Sequence, residues 1–447
     1  MSETERPWRI AVVGAGPSGF YAVQALQAAK LPMAIDLVDR LPTPFGLVRA
    51  GVAPDHQNIK AVVRAYDKIA SQPGFRFRGG VNLGTDVTLD ELRSAYDQVV
   101  LAVGCEQAAP LGIPGEWLPG SHSATAFVGW YNGHPDHVDH DFALDSPAAV
   151  VVGVGNVAMD VTRVLLGDRE VLAGTDIATH ALEVLRASAV RDVYVLGRRG
   201  PAQVAFTPTE LEELDHLPDV DLRVRPEDLA LDPDSAASVA AAKDKALDEN
   251  LRRLRAVAER GPRERRCRIH LWLNTSPIAI EGDGKVERVI VGRNRVEGDG
   301  AGGFRAVDTG ERSTIDAGLV FRAVGYRGRP IPGVPFDDRT GTIRHVGGRV
   351  GPGLYCVGWA KRGPKGLIGT NRADSRDTVD RMLEDLATLP RPPRAPLPRI
   401  EAATDWSDWQ HLDEHERANG QEKGKLREKL VRVPRMHEVL QSRPGRS

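Results

Sequence analysis

Twice in this chain a short apolar run breaks into closely spaced glycines and is followed by a helix-forming stretch, and nothing else restricts the possible folds as much. The first run reads Arg9-Ile-Ala-Val-Val-Gly14 and opens into Gly14-Ala-Gly16-Pro-Ser-Gly19, with a helix expected over 20–30. The second reads Ala148-Ala-Val-Val-Val-Gly153, turns at Gly153-Val-Gly155-Asn-Val-Ala158 and continues as a helix over 159–166. Such runs suit parallel strands covered on both faces. Glycine is required where a strand turns at once into a helix and leaves backbone bare for a phosphate. The two turns lie too far apart for one βαβαβ half. The expected fold class is therefore α/β, with two doubly wound, Rossmann-like dinucleotide-binding domains. Apolar runs at 97–104 and 317–325 are expected to close the two sheets.

The remaining signals are weaker. A hairpin is expected from 286–291 and 305–307 around the glycine-rich stretch 298–303, and 388–398, rich in proline, is expected to be the least ordered segment. The polar tail from Asp405 reads as a solvated helix. Lys plus Arg total 59 against 61 Asp plus Glu, a net charge of −2, so no global basic field points to nucleic acid. Three scattered cysteines, Cys105, Cys267 and Cys356, are too few for a disulfide framework, a metal site or an iron–sulfur cage. No metal is expected, and a cytoplasmic, reducing setting fits. The most apolar stretch of membrane length, 10–29, contains Gly14, Gly16, Pro17 and Gly19, which argues against a membrane span. Only nine residues precede it, so no transit peptide is expected.

The residue closing each unit's second strand separates the two sites chemically. Asp39 stands twenty positions beyond Gly19, and a carboxylate there accepts hydrogen bonds from a free ribose diol, which suits FAD or NAD. The run 192–197 ends instead on Arg198-Arg199. Two guanidinium groups suit a 2′-phosphate and offer no acceptor to a free 2′-hydroxyl, which points to NADP(H). One site of each kind implies hydride transfer between nicotinamide and flavin, with the organic chemistry supplied by the cofactors. No Cys-x-x-Cys or Cys-x₄-Cys pair occurs to receive the electrons. They pass either to an external one-electron carrier or to oxygen and an organic substrate.

Five segments occur together and in order: Pro44-Phe-Gly-Leu-Val-Arg-Ala-Gly-Val-Ala-Pro-Asp-His56, Phe127-Val-Gly-Trp-Tyr-Asn132, Gly153-Val-Gly-Asn-Val-Ala-Met-Asp160, Val195-Leu-Gly-Arg-Arg-Gly-Pro201 and Val357-Gly-Trp-Ala-Lys-Arg-Gly363. In these the chain resembles adrenodoxin reductase and its bacterial relatives, the NADPH–ferredoxin reductases of adrenodoxin-reductase type, over essentially its whole length. The resemblance implies an FAD-binding domain at 1–107 and 325–447, with an NADP-binding domain, 108–324, inserted into it. Beside Gly14, Gly16 and Gly19, it implies FAD contacts from Ser18, Asp39, Leu47, Leu83, Trp359, Gly366, Leu367 and Ile368. For NADP it implies Val154, Gly155, Asn156, Val157, Arg198, Arg199, Glu210 and Gly366. His56 and Glu210 are implied as orienting or tuning residues, because hydride transfer needs no protein acid in its central step.

The implied activity is NADPH:ferredoxin oxidoreduction. Hydride passes from NADPH to FAD, and single electrons then go to a ferredoxin-type iron–sulfur protein, often in the service of a cytochrome P450. A monomer without integral membrane association is expected. A flavin monooxygenase using NADPH and oxygen is the alternative. Residues 209–214, where animal relatives carry docking cations, hold no Lys or Arg here. Lys361-Arg362, Lys365 and the tail 423–429 are the other docking candidates.

Overall fold

Ile10 and Val12 fall on one face of the strand Trp8–Val13, Ala11 and Val13 on the other, and all four are buried in two separate apolar clusters. A strand covered on both sides must lie inside a sheet, and here it is central. In the computed structural model, which describes residues 6–300 and 302–443, the order is Arg349–Gly351, Leu354–Cys356, Gln98–Leu101, Trp8–Val13, Met33–Val38, Phe75–Arg78. Only the pairing of Arg349–Gly351 with Leu354–Cys356 is antiparallel. This sheet belongs to a unit comprising Met1–Gln107, Asn132–Val138 and Gly325–Ser447.

The other unit, Ala108–Tyr131 and Asp139–Val324, holds a second sheet, parallel throughout. Its order is Ser121–Ser123, Leu319–Arg322, Ala148–Val152, Asp192–Leu196, Cys267–Trp272, Val220–Val224. The expected closing strands are therefore Gln98–Leu101 and Leu319–Arg322, each beside the strand that leads into a glycine turn. The expected hairpin is part of a three-stranded antiparallel sheet, Thr275–Glu281, Arg288–Gly298 and Phe304–Asp316. Val289, Val291, Ile280 and Ile315 pack on Val150, Val152, Leu196 and Val320, so this sheet covers one face of the parallel one. Its outer strand is mostly exposed and polar, which hid its length in the sequence.

Each glycine turn is imposed by a backbone contact. Gly14 has φ of +111°, and a Cβ there would stand 2.4 Å from the Ala102 carbonyl oxygen. Gly153 has φ of +130°, with the same atom placed 2.3 Å from the Ala323 carbonyl oxygen. Both glycines abut the residue just after the neighbouring closing strand. The helices start earlier than expected, Pro17–Ala28 and Asn156–Leu166, directly off Gly16 and Gly155.

The proline-rich stretch has no helix or strand, and two of its arginines anchor it: Arg394 pairs with buried Asp97 at 2.8 Å and Arg391 lies 3.9 Å from the Trp8 ring centre. One expectation for the C-terminal third does not hold. The tail is not a solvated helix. The helices Trp406–Glu422 and Val433–Gln441 bury Trp409, Leu412, Met436, Val439 and Leu440 in the first unit's core. Trp406 and Trp409 meet Phe45 edge-on at 6.1 and 5.4 Å between ring centres. A polar average concealed two narrow apolar stripes. Trp409→Ala is expected to cost about 3–5 kcal/mol in urea unfolding, as a core truncation does; a solvated tail would lose less than about 0.5 kcal/mol.

Candidate functional site

In the first unit, the strand Trp8–Val13 delivers Gly14 and the helix Pro17–Ala28 starts with no side-chain cap and with Pro17 in its first turn. Its leading N–H groups are thus unclaimed by side chains, and the helix dipole is positive there. A Cβ on Gly16 would meet nothing within 4 Å, so the backbone faces open space, whereas a Cβ on Gly19 would stand 1.9 Å from the Gly14 carbonyl oxygen. The three glycines do the three jobs the sequence assigned them: tight turn, open approach and close packing.

Asp39 lies at this turn. Its carboxylate accepts from the Ala15 amide at 2.7 Å and the Leu41 amide at 2.9 Å, so it also braces the loop. Burial pushes its carboxyl above the usual carboxylate range, against the lowering effect of those two bonds. Each oxygen keeps a second lone pair for a ribose hydroxyl.

Ser18 and Trp359, distant in sequence, come together. Gly358 has φ of +68°, and a Cβ there would stand 2.0 Å from Ser18 Oγ. The Gly358 amide donates to Asp374 at 2.6 Å, and Ser18 Oγ donates to Asn371 Oδ1 at 3.1 Å. Asn371 and Asp374 sit one turn apart on the helix Thr370–Asp385 and clamp the short helix Trp359–Arg362 against the glycine turn. Sequence reading missed both; only their three-residue spacing after the glycine-rich 363–369 marked them. The Trp359 indole N–H is buried without a hydrogen-bond partner. A buried donor with nothing to donate to is costly unless an acceptor arrives. This orphan, the open backbone at Gly16 and the uncapped helix fit a dinucleotide such as FAD.

The other expected FAD residues belong to the same unit. Leu47 is partly exposed on the helix Leu47–Ala50, Leu83 half-buried and bridged to Val87, and Ile368 packed on the core. Leu367 is 61% exposed, and Gly366 has φ of +82°. His56 heads the short helix Gln57–Lys60, where its carbonyl accepts from the Ile59 amide at 3.1 Å.

In the second unit, Val154, Gly155, Asn156 and Val157 form the turn and the first residues of the helix Asn156–Leu166, again without a side-chain cap and with open space at Gly155. The chain after the arginines returns to this turn: the Ala205 amide donates to the Val154 carbonyl at 2.9 Å and the Thr207 amide to Asn156 Oδ1 at 3.1 Å. Thr207 then caps the helix Pro208–Asp215, which carries Glu210. Glu210 is buried and accepts from Arg163 at 2.9 Å, and Arg163 also pairs with Asp160 and Glu213. Arg163, in the glycine-turn helix, is the residue sequence reading missed here.

Arg198 is exposed and Arg199 half-buried. Their carbonyls are held by Asn294 Nδ2 at 2.8 Å and the Asn274 amide at 3.0 Å. Burial, then the Arg198 charge, lowers Arg199 below its usual value. Most arginines of this unit pair with carboxylates, but among the described residues these two do not. Adjacent guanidinium groups without a counter-charge suit an arriving phosphate.

Two docking candidates are neutralised. Lys361 pairs with Asp374 at 3.0 Å. In the tail, Lys425 pairs with Glu428, Arg427 with Asp413 and Glu416, and buried Lys429 donates to the Arg49 and Asn132 carbonyls. Lys365 remains exposed, and among the described residues makes no ion pair, while Arg362 reaches Asn371 and the Lys365 carbonyl.

Residues 8–199 match the family described as Pyridine nucleotide-disulphide oxidoreductase. The chain is 46% identical to NADPH-ferredoxin reductase FprA of Mycobacterium tuberculosis, covering 95% of this chain and 97% of that one. It is 43% identical to the mitochondrial NADPH:adrenodoxin oxidoreductase of Homo sapiens, covering 98% and 93%. The structure of Mycobacterium tuberculosis FprA in complex with NADPH matches with a TM-score of 0.93 at 45% identity, covering 98% of this chain and all of that one.

The three thiols here are buried and unpaired. Burial pushes Cys105 and Cys356 up to about 12, so at neutral pH neither is a thiolate nucleophile. Native protein at pH 8 is expected to show no alkylation of Cys105 or Cys356 by intact-mass analysis, and full alkylation of all three after denaturation. Rapid modification of either in the native state would reopen a thiol relay.

Proposed function

We infer that this chain, which belongs to the family of NADPH–ferredoxin and adrenodoxin reductases, is an FAD-dependent NADPH:ferredoxin oxidoreductase. The observation that carries the reading is the chemical contrast between two otherwise matched glycine turns, one followed by Asp39 and the other by Arg198-Arg199, which among the described residues have no carboxylate partner. A free ribose diol suits the first and a 2′-phosphate the second.

FAD, when bound, supplies the chemistry that couples a two-electron donor to a one-electron acceptor. The residues that would hold it are Gly14, Gly16, Ser18, Gly19, Asp39, Leu47, Leu83, Trp359, Gly366, Leu367 and Ile368. Amides at the start of the helix Pro17–Ala28 would bind the pyrophosphate, Asp39 would accept from the adenosine ribose, and the Trp359 indole would donate its N–H. On the second unit, Val154 to Val157 cradle the NADPH pyrophosphate, and Arg198 and Arg199 take the 2′-phosphate. Glu210, held by Arg163, orients the nicotinamide, and His56 is assigned a similar role. Neither is asked to move a proton, because hydride leaves NADPH without one.

The acceptor is an iron–sulfur protein of ferredoxin type. The inferred setting is the cytoplasm, where NADPH is plentiful and three unpaired thiols stay reduced. Among the described residues no helix is long and apolar enough to cross a membrane; 10–29 is strand, turn and helix.

Anaerobic titration followed by flavin absorbance tests the reading. Wild type is expected to bleach at far lower NADPH than NADH, then to be reoxidised by a ferredoxin. Two charge-assisted bonds of about 1.5–3 kcal/mol each, discounted for solvent exposure, give a preference of roughly tenfold to several hundredfold. Arg198→Ala/Arg199→Ala should erase most of it while leaving NADH reduction nearly unchanged. Equal response of the wild type to both nucleotides would refute the assignment of the arginine pair.

A further inference from the structure

The loop lying on the first glycine turn is gripped from behind by the C-terminal tail. Phe45 and Gly46 have φ of 86° and 46°. The Phe45 amide donates to the Ala15 carbonyl at 2.8 Å, and a Cβ on Gly46 would stand 3.0 Å from Gly16 Cα. The helix Leu47–Ala50 follows at once. Its Arg49 presents both ends of the guanidinium to Glu416, at 2.8 and 2.5 Å, and lies 5.3 Å from the Trp409 ring centre. The Arg49 carbonyl accepts from Lys429 at 3.0 Å. Glu416 has no exposed side-chain surface and takes two further donors, Arg427 at 3.0 Å and the Leu430 amide at 2.8 Å. Burial pushes its carboxyl up, but Arg49 and Arg427 outweigh that and hold it below the usual range.

We propose that Glu416 is a positioning residue for the bound flavin nucleotide: through Arg49 it fixes the 45–50 turn, and with it Leu47, against Ala15 and Gly16. The inference rests on the assignment of the first glycine turn to FAD. A non-glycine residue at positive φ, such as Phe45, persists only where its surroundings over-determine it. A buried charge pair does this, since removing one partner strands the other. The tail thus sets the shape of a turn more than 360 residues away.

Flavin release from the purified holoprotein, read as rising fluorescence on dilution well below the unfolding temperature, tests this in wild type, Glu416→Gln and Asp97→Asn. Asp97 is the control, an equally buried carboxylate held by Arg6 and Arg394 at the opposite end of the same sheet. Glu416→Gln is expected to weaken FAD retention at least about tenfold, whereas Asp97→Asn lowers Tm without comparable loss. Unchanged retention in Glu416→Gln, or equal loosening by both variants, overturns the inference. Should Glu416→Gln not accumulate folded, Arg49→Lys, which keeps the charge but loses the fork, is read in the same way. Wild-type protein that neither retains nor takes up FAD would instead overturn the flavin assignment, and this inference with it.

Discussion

Two peptide carbonyls, Ala102 and Ala323, set the geometry on which both nucleotide frames depend. Each follows a closing strand and presses against the glycine that ends the neighbouring one, leaving no room for a Cβ at Gly14 or Gly153. Because those glycines turn at once, a side chain on Gly16 or Gly155 would meet open space and the following helices start without a side-chain cap. The chain repeats the same tripeptide at the two contacts, Ala102-Val-Gly104 and Ala323-Val-Gly325. It passes from one unit to the other within a few residues of each.

On this common backbone the two sites are told apart by charge. Asp39 is tied to two amides, so the first site presents an acceptor that is already braced. Arg198 and Arg199 are held through their carbonyls while their guanidinium groups are left without carboxylates, in a unit where arginines are otherwise mostly paired. Leaving two like charges side by side costs stability in the free protein and is repaid only when an anion binds. Structural charges elsewhere follow the opposite rule: Asp36, Asp97 and Glu416 are buried and each saturated by arginines. Among the described residues Arg198 and Arg199 have no carboxylate partner, and the one guanidinium contact is Arg199 to the Phe304 carbonyl at 3.4 Å, which sets this pair apart from those structural charges.

Much of this was legible in the sequence, for identifiable reasons. Glycine spacing after an apolar run reports a backbone geometry directly, so both turns, their helices and the closing strands could be read from Gly14, Gly153 and the runs ending at Gly104 and Gly325. Asp39 and Arg198-Arg199 stood where each unit's next strand ends, 20 residues beyond Gly19 in one and 40 beyond Ala158 in the other. What escaped was non-local. Asn371, Asp374 and Arg163 act through contacts that no spacing rule encodes. The tail was misjudged because helices whose exposed faces are charged average to a polar composition, while Trp409, Leu412 and Met436 sit fully inside. In the proline-rich strap, Arg391 and Arg394 act as pins through Trp8 and Asp97, contacts that composition does not encode.

The central claim is that one of two similar turns is built for a 2′-phosphate and the other is not. Calorimetric titration of the FAD-loaded protein with ADP-ribose and with its 2′-phosphorylated form addresses it without any electron transfer. One site per chain, with the phosphorylated ligand bound roughly tenfold to several hundredfold more tightly, is the predicted result. Equal affinity for the two ligands would contradict it.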